Sequence, residues 1–217
     1  MMARSIFTAL FCILLTGCSS AYYSALEKVG VHKRDLLVKR VEAARESQAK
    51  ASTQFQTALE QFRSVVSVPG GKLEEKYNKL KTELDRSETK AKEVRDRITA
   101  IENVSEALFD EWKAELEQYE NENLRRLSAE QLERSKDRYG NMIKAMKKAE
   151  GKIEPVLKPF RDNVLFLKHN LNAKAIGSLD SEVSKISDNV EVLIRNLEVA
   201  MSEADEFISV MKAGRED

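Results

Sequence analysis

The chain of 217 residues balances 36 Lys and Arg against 36 Asp and Glu, so its net charge is zero. Charged residues make up 33% and aromatics only 6%, with 8 glycines and 3 prolines, a composition of long helices and coiled coils rather than sheets. A balanced charge also excludes the basic excess on which nucleic-acid binding draws.

The chain opens with a positive Met1-Met2-Ala3-Arg4 and an apolar run from Ile6 to Leu15. That run is shorter than the ~20 residues a spanning helix needs, so it reads as a cleaved signal rather than a membrane segment. It ends in Leu15-Thr16-Gly17-Cys18, which resembles the lipobox of bacterial lipoproteins: a leucine, two small residues and a cysteine. The resemblance implies a signal peptide over 1–17, a diacylglycerol thioether on Cys18 and an acyl chain such as palmitate on the new amino terminus. Ser19 in the next position implies sorting to the outer membrane, in its periplasmic leaflet. Cys12 falls in the signal and Cys18 in the anchor, so the mature domain would hold neither free thiol nor disulfide.

Residues 18–25 form the anchor segment. One reading sets Tyr22 and Tyr23 at headgroup level, where amphipathic rings settle, with Lys28, His32, Lys33 and Arg34 facing anionic headgroups or a carboxylate-bearing partner. The favoured reading packs both tyrosines on the end of the bundle and leaves the basic residues as a solvated face paired with Glu27 and Asp35.

From residue 26 to 213 the apolar spacing is that of helices packed side by side. The first seam runs Leu37, Val41, Ala44, Gln48, Ala51, Phe55, Ala58, Phe62 and Val65, alternating steps of four and three. Val68-Pro69-Gly70-Gly71 predicts a turn. A second seam extends from Leu73 to Trp112 and fades at Asn121-Glu122-Asn123. Ser128-Ala129-Glu130-Gln131 reads as a capping box that starts the next helix. The third seam, Leu132 to Leu171, carries on through Gly151, Pro155 and Pro159, and a kink or short break is expected there. Asn172 to Gly177 reads as a loop, the fourth seam runs from Leu179 to Met211, and residues 214–217 form a polar tail. Three loops between four seams predict an all-α fold. It would be an elongated, antiparallel, coiled-coil-like bundle of about four long helices in one domain. Polar Gln48, Ser87, Ser105 and Ser135 interrupt the seams. They would either set register or, the favoured reading, face solvent at a bundle edge.

Catalytic machinery is not expected. The two histidines, His32 and His169, lie in different segments, and neither has a glutamate three residues before it, as di-iron bundles require. No metal site, phosphate loop or nucleophile motif is present. Carboxylates such as Asp110, Glu111 and Glu115 read as a solvated face. Cofactors are therefore expected to be none, beyond the covalent lipid.

Three stretches carry a further resemblance: the anchor-proximal wording around Tyr22-Tyr23, Val68-Pro69-Gly70-Gly71 followed by Leu73 to Tyr77, and Val94 to Ile98. With these the chain resembles the uncharacterised proteobacterial family termed domain of unknown function 2959. The resemblance implies a Gram-negative envelope and carries no activity. The expected function is a lipid-anchored, non-catalytic rod that scaffolds or binds an envelope protein or peptidoglycan. The alternative is a bundle that holds a lipid or other apolar molecule near Gly151–Pro159, lined by Met142, Met146, Phe160 and Phe166.

Overall fold

The structure, a computed structural model, describes residues 32–67, 72–170 and 172–213. The lipobox residues Leu15, Thr16, Gly17 and Cys18, together with Tyr22, Tyr23, Lys28, the Pro69-Gly70-Gly71 turn and the tail, lie outside them. Six helices follow in order: α1 Lys33–Ser67, α2 Leu73–Leu116, α3 Glu122–Glu150, α4 Ile153–His169, α5 Ala173–Ser178 and α6 Asp180–Ala213. No strand occurs among the described residues. The all-α reading therefore holds, and the helices pack as a bundle.

Within the chain two compact units are distinguishable. The described part of the first comprises 32–41 and 99–138, and that of the second 42–67, 72–98, 139–170 and 172–213. Helices α1, α2 and α3 each contribute to both. Leu37, Val41, Ile101, Val104, Leu108 and Leu132 form the core of the first unit. Phe55, Phe62, Leu80, Val94, Met146, Phe160, Leu193 and Leu197 are among the many core residues of the second.

Cross-helix pairs fix the directions in the second unit. Arg45 meets Asp205 and Arg63 meets Ser187, so α1 and α6 are antiparallel. Arg95 reaches Glu154 while Arg161 reaches Glu88, so α2 and α4 are antiparallel as well. Gln54 bonds Glu83 and Lys76 bonds the carbonyl of Val65, which sets α1 against α2 in the same sense. That last bond also supplies a cation to the end of α1, whose final turn has no basic residue of its own.

Four features depart from the sequence-based expectations. First, the helix after the polar patch begins at Glu122, not at Ser128. The Asn121 Oδ1 accepts from the backbone amides of Asn123 and Leu124 at 3.0 and 3.1 Å and caps it. Ser128 lies inside α3, where its Oγ accepts from the Trp112 indole at 2.9 Å. Second, the break expected within the third seam falls at a Gly151-Lys152 turn, ahead of both prolines, and divides the seam into α3 and α4.

Pro155 falls in the first turn of α4, where a missing amide costs nothing because no acceptor awaits it there. Pro159 sits inside α4 and leaves the Pro155 carbonyl without its helical donor. The Asn189 side-chain amide, from α6, donates to that carbonyl at 3.2 Å. The sequence places the break correctly near Gly151–Pro159, but the prolines do not make it. Third, the expected loop at 172–177 contains the short helix α5, capped by Asn172, whose Oδ1 accepts from Ala175 N at 2.9 Å.

Fourth, the polar seam residues do not sit at a solvent edge. Gln48 and Ser87 are 0% exposed and Ser105 is 2% exposed; Ser135 alone is half-buried. Ser87 and Ser105 donate to carbonyls of their own helix, those of Glu83 and Glu102. Gln48 has no such local outlet, because its amide stands further from its own backbone. Neither its nitrogen nor its oxygen finds a protein partner.

Candidate functional site

Of the basic residues singled out near the amino end, Lys33 and Arg34 open α1, in the first unit. His32 is exposed and immediately precedes the helix. Lys33 does not face outward as expected: it is 6% exposed, and its Nζ lies 2.7 Å from the Glu111 carboxylate on α2. A buried ammonium is tolerable only when paired, and Glu111 supplies the pair. Glu111 therefore leaves the solvated face to which the sequence assigned it, while Asp110 and Glu115 remain exposed. Arg34 is half-buried. Of the expected membrane- or partner-facing set within the described residues, His32 is the one that stands open.

The first unit ends in the α2–α3 hairpin. Its turn exposes Tyr119 by 41%, and the start of α3 exposes Leu124 by 51% and Leu127 by 45%. Of residues 122–138 of α3, Leu132 alone is buried. Arg125 is held by Glu117, and Arg126 by Glu130 and Asn123.

The residues expected to line an apolar site near Gly151–Pro159 do not share one chamber. Met142, Met146 and Phe160 are buried core, with Phe160 edge-on to Phe62 at 5.8 Å between ring centres. Phe166 is 42% exposed. Open grooves run along α1 and α2 in the second unit. One of about 590 Å³ is lined by Gln61, Glu75, Asn78, Lys79, Glu83 and Arg86. Its walls are polar and largely paired: Glu83 accepts from Gln54 at 2.7 Å and from Arg86 at 2.8 Å. No group of three His, Cys, Asp or Glu placed to hold a metal occurs among the described residues. None of their helices is long and apolar enough to cross a membrane.

The break between α3 and α4 carries the densest cross-helix electrostatics. Arg95 of α2 lies 3.6 Å from Glu150 and 3.5 Å from Glu154, straddling the turn. Arg161 bonds both Glu88 and Glu154. The Arg161 guanidinium, helped by Arg95, holds the Glu154 carboxyl below its ordinary value of 4.5. Glu88 and Glu154 in turn raise Arg161. A lowered carboxylate stabilises the fold above its unfolded pKa and loses that contribution as pH falls through the folded one. Both partners are substantially exposed, so solvent screening keeps the whole effect below ~1 kcal/mol. We expect the urea midpoint of Arg161→Gln to fall less than that of the wild type between about pH 6 and about pH 3. Parallel acid titrations of the two midpoints would reject this assignment.

Taken together, the fold and its surface define an all-helical bundle protein with a polar, ion-paired exterior. The model of the family described as "Protein of unknown function (DUF2959)" matches residues 22–211, and the chain belongs to that family. Comparison with curated proteins and with solved structures finds no match.

Proposed function

We propose that this protein is an envelope lipoprotein of a Gram-negative bacterium. Its signal peptide, 1–17, is removed, and Cys18 is acylated. The lipid holds it in the periplasmic leaflet of the outer membrane, and the helical domain acts without catalysis as a scaffold or partner-binding element. The observation that carries this reading is Leu15-Thr16-Gly17-Cys18 placed directly behind a charged start and a short apolar run. Two or three acyl chains anchor firmly, since each buried CH₂ contributes ~0.8 kcal/mol. Long helices with many surface ion pairs and polar grooves support a binding role for an envelope protein or peptidoglycan. A lipid-holding bundle has weaker support, because three of its four lining residues are packed in the core and Phe166 is not with them.

The test is fractionation of the wild type beside Cys18→Ala, with intact mass of the mature form. The wild type is expected to float with the outer membrane as an acylated chain that begins at Cys18, and the variant to leave it. A variant that fractionates like the wild type would overturn both the anchor and the location.

A further inference from the structure

We propose that α3 pairs antiparallel with the α3 of a second copy of this chain, along the exposed face that carries Leu124 and Leu127. Three observations, all within the first unit, point there.

The first is pattern. Glu120, Leu124, Leu127, Gln131, Arg134 and Arg138 follow one another by steps of four, three, four, three and four, and every one is exposed. Such spacing keeps side chains on one face and is the spacing on which helices pair in coiled coils. α3 already has a seam against its own chain, marked by the buried Leu132 and the half-buried Ser128 and Ser135. The exposed row is a second seam, about a quarter turn further round the helix.

The second is the order of charge along that seam. An acid stands at its amino end, two leucines follow, and two arginines stand at its carboxyl end. Turned end for end, this row is its own complement. With Leu124 of each copy set against Leu127 of the other, Glu120 comes beside Gln131 of the second copy and within a turn of its Arg134. Parallel pairing would instead set arginine on arginine and glutamate on glutamate, so charge selects the antiparallel arrangement.

The third is ion pairing. Most hairpin charges that lie off the seam in α3 are held within the chain: Arg125 by Glu117 at 3.3 Å, Arg126 by Glu130 at 2.6 Å and Lys136 by Glu133 at 2.9 Å. The three charges on the seam, Glu120, Arg134 and Arg138, have no ion pair among the described residues.

The seam from Glu120 to Arg138 runs about 27 Å, and two leucines from each copy would be covered together. Apolar cover this short suits a dimer that forms and parts rather than a permanent one. The pairing does not depend on acylation and is separate from the lipoprotein reading.

Sedimentation velocity of the full chain carrying Cys18→Ala tests the pairing, since that background removes association through lipid. Dimer is expected to accumulate as the concentration rises toward about 0.1 mM. Leu124→Asp with Leu127→Asp should weaken association by roughly a hundredfold. Glu120→Arg alone, or Arg134→Glu alone, should weaken it by roughly tenfold, and the two in one chain should restore it. The Trp112 indole, bonded to Ser128, reports by its fluorescence that the α2–α3 hairpin stays folded in each variant. A chain that remains monomeric, association indifferent to the two aspartates, or a double charge exchange that restores nothing would each overturn the proposal. So would a monomer that binds phospholipid vesicles through these leucines, which would give the face to a membrane.

Discussion

Phe160→Ala is expected to lower the unfolding free energy by about 3–5 kcal/mol, the largest effect of any single truncation we would choose. Phe160 is 2% exposed and meets the fully buried Phe62 edge-on, with an interplanar angle of 82°. Truncation removes the transfer free energy of the ring, leaves a cavity between α1 and α4, and forfeits an aromatic pair worth ~0.5–1.5 kcal/mol beyond its area. For a chain of this size the melting temperature should drop by roughly 10 °C. Phe166→Ala is the control. Its ring is 42% exposed, and the loss should stay within about 1 kcal/mol. Thermal or urea unfolding of both variants decides the matter; equal losses would mean that Phe160 is not the core residue the geometry makes it.

The second large effect has the opposite sign. Gln48→Met should stabilise the protein by about 1–3 kcal/mol, the desolvation penalty of a buried amide left unpaired. Gln48 is 0% exposed, and both polar atoms of its side chain lack a protein partner. Methionine has nearly the same length and volume, so the swap removes the polarity without opening a void. The urea midpoint should rise. A midpoint that falls would show that the amide is satisfied in solution. A polar residue on a helical seam also restricts alternative registers, as a hypothesis for why it is tolerated. The gain in stability should then come with a less uniform assembly, read as a broadened elution profile; a sharp, unchanged profile would remove the register role.

Much of the bundle is legible in the sequence, because seam spacing is a property of the chain itself. Leu37, Val41, Phe55 and Phe62 recur at three and four, and all are buried. What the pattern could not show was competition for single hydrogen bonds. Ser128 and Gln131 satisfy the local rule for a helix start, yet Asn121 begins the helix earlier and the Trp112 indole engages Ser128. Nor could it weigh a proline without knowing where a helix begins: Pro155 is harmless only because the turn at Gly151-Lys152 precedes it by so little. Gln48 looked like an edge residue because polarity is the usual sign of solvent, and only packing shows otherwise.

The ion pairs divide along the same line. Lys81–Asp85 and Arg126–Glu130 are visible as i, i+4 spacing on one helix. Lys33–Glu111, Arg161–Glu88 and the two-pronged Arg45–Asp205 join residues 78, 73 and 160 positions apart, which no local pattern reveals. For the candidate site the balance is reversed. The proposed lipobox rests on sequence alone, whereas the exposed tip of Tyr119, Leu124 and Leu127 is visible only from burial.

The bond from Asn189 to the Pro155 carbonyl has a bearing on the order in which the chain assembles. A polypeptide synthesised amino end first presents α4 before α6 exists. Until α6 arrives, Pro159 leaves α4 with an open acceptor that its own backbone has no means of filling. Water serves that carbonyl in the interim, and the last helix to emerge displaces it while sealing Phe207, Leu197 and Leu193 into the interior. Completion of α4 is thus a late event, timed by the arrival of a side chain 34 residues downstream.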